Sequence, residues 1–124
     1  MAKLSSVVTR CKTSNMSIDK ICKIRKYVPI KEKIDFVKKY YETVESHMDD
    51  FGEYGSFFVS FVFFYLMVIK TYTDIEIELT YEEFDILQEN GIINKIVEVI
   101  EEDYSFMLQF IKFNNSGEWL FWLN

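Results

Sequence analysis

From Phe57 to Ile69 the chain carries thirteen consecutive residues, FFVSFVFFYLMVI, without a single charge. Few soluble folds accommodate such a run, so it limits the architecture more than any other feature. A helix crossing a bilayer needs about 20 apolar residues to span the hydrocarbon. Here Asp49, Asp50 and Glu53 close the window on one side, and Lys70, Asp74, Glu76 and Glu78 on the other. The run is also longer than the usual strand of about 5 to 6 residues. A helix that is apolar all round belongs at the centre of a compact bundle. We therefore expect a buried central helix over 56–70. A buried strand or strand pair is the alternative that hydropathy alone leaves open.

The remaining chain is suited to surrounding such a helix. At 124 residues it is one domain's worth, able to bury roughly two thirds of its unfolded surface. One proline and four glycines leave little punctuation, which favours long helices over many short strands. The expected fold is mainly all-α: a compact bundle of four to five helices, with an extended basic arm over 1–17, a helical domain over 18–117 and an aromatic C-terminal tail over 118–124. The opening MAKLSSVVTR has neither the apolar stretch nor the cleavage site of a secretion signal. Without one, Cys11 and Cys22 are expected to be reduced thiols, and two cysteines are too few for a four-ligand zinc site.

Local signals order the helices. Pro29 suits a helix start, and Ile30, Ile34, Val37 and Tyr41 recur at helical spacing, predicting an amphipathic helix over 30–47 with Lys31, Lys38 and Glu42 outward. DDFGEYGS breaks the chain before the central helix. Ile75, Ile77 and Leu79 alternate with Glu76 and Glu78, the period of a half-buried strand, although no partner strand is evident and an extended loop fits equally. Thr80 followed by Glu83 is a capping box, and Gly91 suits the left-handed position after a helix end. Ile92, Ile93, Ile96, Val97 and Ile100 stripe a further helix, and Phe106, Phe110 and Phe113 a last one.

Charge is unevenly spread. Residues 1–39 hold eleven basic residues against three acids, whereas 40–124 hold three lysines against seventeen acids, within a net charge of −6. Intramolecular complementarity is the plainer reading of this split, and a basic arm meeting an acidic partner is the sharper one. Arg10, Lys12, Lys23, Arg25 and Lys26 are the candidate basic contacts. With only two arginines and no recognition motif, nucleic-acid contact by this arm is the less favoured partner assignment. The tail supplies the other candidate contacts. Trp119, Phe121 and Trp122 lie beyond Gly117, and tryptophan is enriched at binding hot spots. The tail is expected to be covered, either by its own domain or by another subunit.

Catalytic patterns are not evident. His47 is the one histidine, set in ETVESHMDD where acids surround a helix end, and reads as a surface residue. The four glycines do not form a phosphate loop. Glu82, Glu83 and Asp85 fit the first turn of a helix, where negative charge complements the dipole. Glu98, Glu101 and Glu102 share a helix face without the alternation of a calcium loop. We expect no enzyme activity, no cofactor and no metal.

YVPIKEKIDFVKKYYE, YTDIEIE and YEEFDILQENGIINKIVEVI, read in order, resemble a group of small helical proteins encoded by bacteriophages of low-GC Gram-positive hosts near virion structural genes. The resemblance spans roughly residues 24–111. It implies a virion structural or assembly role, with the protein in the virion and, during assembly, in the host cytoplasm. The implied partners are other virion proteins or copies of itself in a homo-oligomer, and no membrane. The alternative is a small acidic inhibitor of a host or defence protein, presenting residues 74–103.

Overall fold

A computed structural model of the chain describes residues 1–52 and 55–115. Its elements are β1 (Ala2–Lys3), α1 (Leu4–Thr13), α2 (Ile18–Ile21), α3 (Ile30–His47), α4 (Ser56–Tyr72), β2 (Ile75–Glu76), α5 (Tyr81–Glu89), α6 (Ile92–Val99) and α7 (Glu101–Asn115). The fold is mainly helical, and five of the described helices are those the sequence predicts. The other two, α1 and α2, lie where no helix is expected.

The extended arm over 1–17 is therefore corrected for most of its length. Leu4 and Val7 are buried, and Val8 and Cys11 pack against the core. Their spacing of three, one and three is that of a helical stripe, diluted by the Ser, Thr and Lys residues between. Ala2–Lys3 pairs in parallel with Ile75–Glu76, which supplies the partner that the alternating segment lacked in the sequence. Beside it, Ile24 bridges Thr73 antiparallel, with Arg25 N–H to Tyr72 C=O at 2.9 Å and Asp74 N–H to Lys23 C=O at 3.1 Å.

The centre of the fold is α4. Val59, Phe63, Leu66, Val68 and Ile69 are fully buried. α3 lies antiparallel to it, since Phe36 meets Phe64 and the Tyr40 hydroxyl donates to Ser60 C=O at 3.2 Å. The buried face of α3 is Lys33, Phe36, Val37, Tyr40 and Val44. Ile30 and Ile34, expected inward, are exposed. The larger rings of Phe36 and Tyr40 win the interface, and the helix is rotated accordingly.

The boundary between α5 and α6 follows the local signals. Thr80 Oγ1 accepts from Glu83 N–H at 3.2 Å. The Glu83 carboxylate reaches back to Glu78 N–H at 3.3 Å, two residues upstream of the position a standard capping box would serve. Gly91, at φ 69°, closes α5 in the left-handed conformation and leads into α6. Ile92, Ile96 and Ile100 are buried beneath it.

Candidate partner-binding surface

The central helix is not buried throughout. At its N-terminal end Phe57 is 74% exposed, Phe58 62% and Phe61 42%. Phe51, on the preceding turn, is exposed as well. The expectation of a helix buried over 56–70 is corrected here: Phe61 packs at steep angles against Tyr65 and Phe84 and stays partly exposed, whereas Phe64 is buried. Of the exposed rings, Phe51 and Phe58 border an open apolar groove of about 520 Å³ between α4 and α5, lined also by Val62, Tyr81 and Phe84. Contiguous exposed aromatic surface of this kind marks interaction sites.

One wall of the groove is fixed by a small polar cluster. The Tyr81 hydroxyl donates to Asp50 Oδ2 at 2.6 Å, and His47 Nδ1 meets the same oxygen at 2.9 Å. The hydrogen bond from Tyr81, then that from His47, hold the Asp50 carboxyl below its ordinary range. Burial first, then the Asp50 contact, raises the Tyr81 phenol to about 12. The His47 ring stacks on Phe63 at 4.6 Å, and Phe51 packs edge-on to Tyr81 at 4.7 Å. His47 is thus a half-buried wedge against the core as well as a partner of the neighbouring acid.

A second polar cluster is buried. Lys33 is 5% exposed and Asp103 7%, and Lys33 Nζ lies 3.0 Å from Asp103 Oδ1. The other oxygen, Oδ2, accepts from the Tyr72 hydroxyl at 2.6 Å and from Val28 N–H at 3.1 Å. Lys33 also donates to Val28 C=O and faces the rings of Tyr27 and Phe106. Desolvation pushes the Asp103 carboxyl up, but three hydrogen bonds and the Lys33 charge outweigh it and hold it below the ordinary range. Burial, followed by the bond to Asp103, drives the Tyr72 phenol well up. This network joins α3, α4, α7 and the irregular segment that carries Val28 into α3, and its donors and acceptors are spent on one another. Lys33, Tyr72 and Asp103 are not distinguishable in the sequence from the solvated Lys, Tyr and Asp around them.

The basic candidates are dispersed. Arg10 and Lys23 line one open groove of about 560 Å³ between α1, α2 and Asp74, together with Lys3 and Lys20. Asp19 and Asp74 share that groove. Arg25 is committed elsewhere, pairing with Glu32 and donating through Nε to Thr71 C=O at 3.0 Å. Lys12 and Lys26 are exposed outside the groove. Trp119, Phe121 and Trp122 lie outside the described residues, as does the whole tail over 118–124.

Among the described residues no cluster of His, Cys, Asp and Glu suited to a metal ion occurs, and no helix is long and apolar enough to cross a membrane. Both cysteines are free thiols. Comparison with family models, with curated proteins and with solved structures finds no match.

Proposed function

We propose that this protein is a non-enzymatic structural or assembly component of a bacteriophage particle, acting through protein–protein contacts. The observation that carries the reading is the aromatic face of Phe51, Phe57, Phe58 and Phe61 at one end of α4. Exposing three phenylalanines of the most apolar helix is costly in water unless a partner covers them. The phage context comes from the resemblance of residues 24–111 to small phage proteins. In this reading the partners are other virion proteins or further copies of the chain. The aromatic face and the segment bearing Trp119, Phe121 and Trp122 make the contacts, and the groove of Arg10 and Lys23 is secondary.

Mass spectrometry of purified particles tests this. The protein is expected in intact particles at fixed stoichiometry, and its absence from them would overturn the role. A second reading has its own support, because Glu76, Glu78, Glu82, Asp85, Glu89, Glu98, Glu101 and Glu102 are all exposed. An acidic inhibitor built on that surface would be missing from particles and would be recovered with a basic host protein in a salt-sensitive complex.

A further inference from the structure

We infer that the aromatic face of α4 is the two-fold interface of a homodimer, in which Phe57 of each copy enters the groove between α4 and α5 of the other. The inference rests on the assembly reading for its purpose and deepens it, by naming a second copy of the chain as the partner that covers this face.

Phe57, Phe58, Phe61 and the half-buried Tyr65 follow one another at spacings of one, three and four, so they share one face of α4. Phe57 stands beside Phe58, the two rings edge to face at 6.1 Å, but unlike Phe58 it does not line the groove. Phe61 lies 6.1 Å from Phe84, which does line it. A protruding ring and an apolar hollow of about 520 Å³ therefore occur side by side on one surface. Such a surface can meet itself about a two-fold axis, because every contact that one copy makes is returned by the other.

Area and charge both suit a second copy. Phe51, Phe57, Phe58 and Phe61 together expose more than two phenylalanines' worth of surface, roughly 350–600 Å² at the usual size of an aromatic side chain. A dimer interface at the smaller end of the specific range buries roughly 600–800 Å² a side, of which about 65% is apolar, or roughly 400–500 Å². The four rings meet that requirement. From Phe57 to Ile69 the chain carries no charge, although its net charge is −6. Two copies meeting along this stripe set no like charges opposite one another. Along α5 they would, because Glu82, Asp85 and Glu89 are exposed on one face. In the two-fold arrangement Asp85, which lines the groove, meets the incoming ring rather than a second acid.

Analytical ultracentrifugation of the full-length chain through the micromolar range tests this. A monomer–dimer equilibrium that stops at the dimer is expected, because a closed two-fold leaves no open face for a third copy. Phe57→Ala removes the inserted ring, and Phe58→Glu places a charge in the groove. Each should weaken the dimer about tenfold or more. Far-ultraviolet circular dichroism should not change, since both sites are exposed. Ile86→Glu, at an exposed apolar site of α5 outside the groove lining, should leave the dimer as it is. An equimolar mixture of the Phe57 and Phe58 variants probes the arrangement itself. The mixed dimer keeps one intact ring-in-groove contact and a like pair keeps none, so mixed dimers should form in preference. A wild-type chain that stays monomeric, associates beyond the dimer or dimerises indifferently to both substitutions overturns the inference. So does a mixture without mixed dimers. The assembly role fails separately: a dimer absent from particles keeps the interface and removes the role, whereas a monomer found in particles keeps the role and removes the interface.

Discussion

Lys33 and Asp103 show how one residue pair can be written into a core without announcing itself. Charges this deeply buried persist only when paired and hydrogen-bonded, and here Asp103 has three donors. Removing one partner should be expensive: Lys33→Met is expected to cost about 3–5 kcal/mol, measured by urea unfolding at neutral pH. Asp103 also gives the stability a pH dependence. Its folded value is depressed below the unfolded one, so its contribution is complete above about pH 4–5 and is lost as the pH falls through the folded value. The stability gap between wild type and Asp103→Asn should accordingly narrow below about pH 4, and a gap that stays constant would assign the effect to another carboxylate. Two neighbouring phenylalanines offer a contrast. Phe64→Ala should cost about 3–5 kcal/mol because its ring is buried. Phe61→Ala should cost distinctly less, since nearly half of that residue already faces water. Equal losses at the two positions would contradict the division of α4 into a core face and an exposed face.

At the scale of elements, what the sequence revealed was what local chemistry decides. The start of α5 and its junction with α6 were legible because Thr80 and Gly91 act on their own neighbours. Thr80→Ala should cost about 1 kcal/mol through loss of the cap. Gly91→Ala should cost about 1–2 kcal/mol through the left-handed backbone alone, because an added Cβ would meet nothing within 4 Å. Calorimetry on the two variants and their double would give nearly additive losses if cap and turn act independently. The facing of α3 was not legible in the same way. Ile30 and Ile34 carry as strong a helical period as Phe36 and Tyr40, and only the presence of α4 and of Asp103 decides which set turns inward. The alternation from Ile75 to Leu79 left strand and extended loop equally open, and only Ile75–Glu76 pairs as a strand, because its partner was the first few residues of the chain, beyond the reach of any local pattern.

Across the whole molecule, the contacts that close the fold join distant parts of the sequence. Ala2 pairs with Ile75, Lys23 with Asp74, and Val28 with Asp103. The candidate groove has the same character: Phe51, Phe58 and Tyr81 are unremarkable aromatics until α4 and α5 are packed together. The basic beginning of the chain, which reads as an arm when charge alone is weighed, is instead a flange over the middle of the fold. Leu4 and Val7 of α1 are buried, and the backbone of Ala2 donates to Asp74 C=O at 3.0 Å. Burying each of two such aliphatic side chains stabilises by roughly 1.5–3 kcal/mol, a large share of the about 5–15 kcal/mol that holds a typical domain. Deleting residues 1–13 should thus lower the melting temperature by roughly 10 °C or more, whereas a detached arm could be removed without effect. Val7→Asp in the full chain provides the complementary case, placing a charge where only 1% of the residue is accessible and destabilising without shortening the chain. In the native protein trypsin should cut after Arg10 and Lys12 only as fast as α1 detaches. Rapid cleavage there, leaving a fragment that melts like the intact chain, would return this segment to the status of an arm.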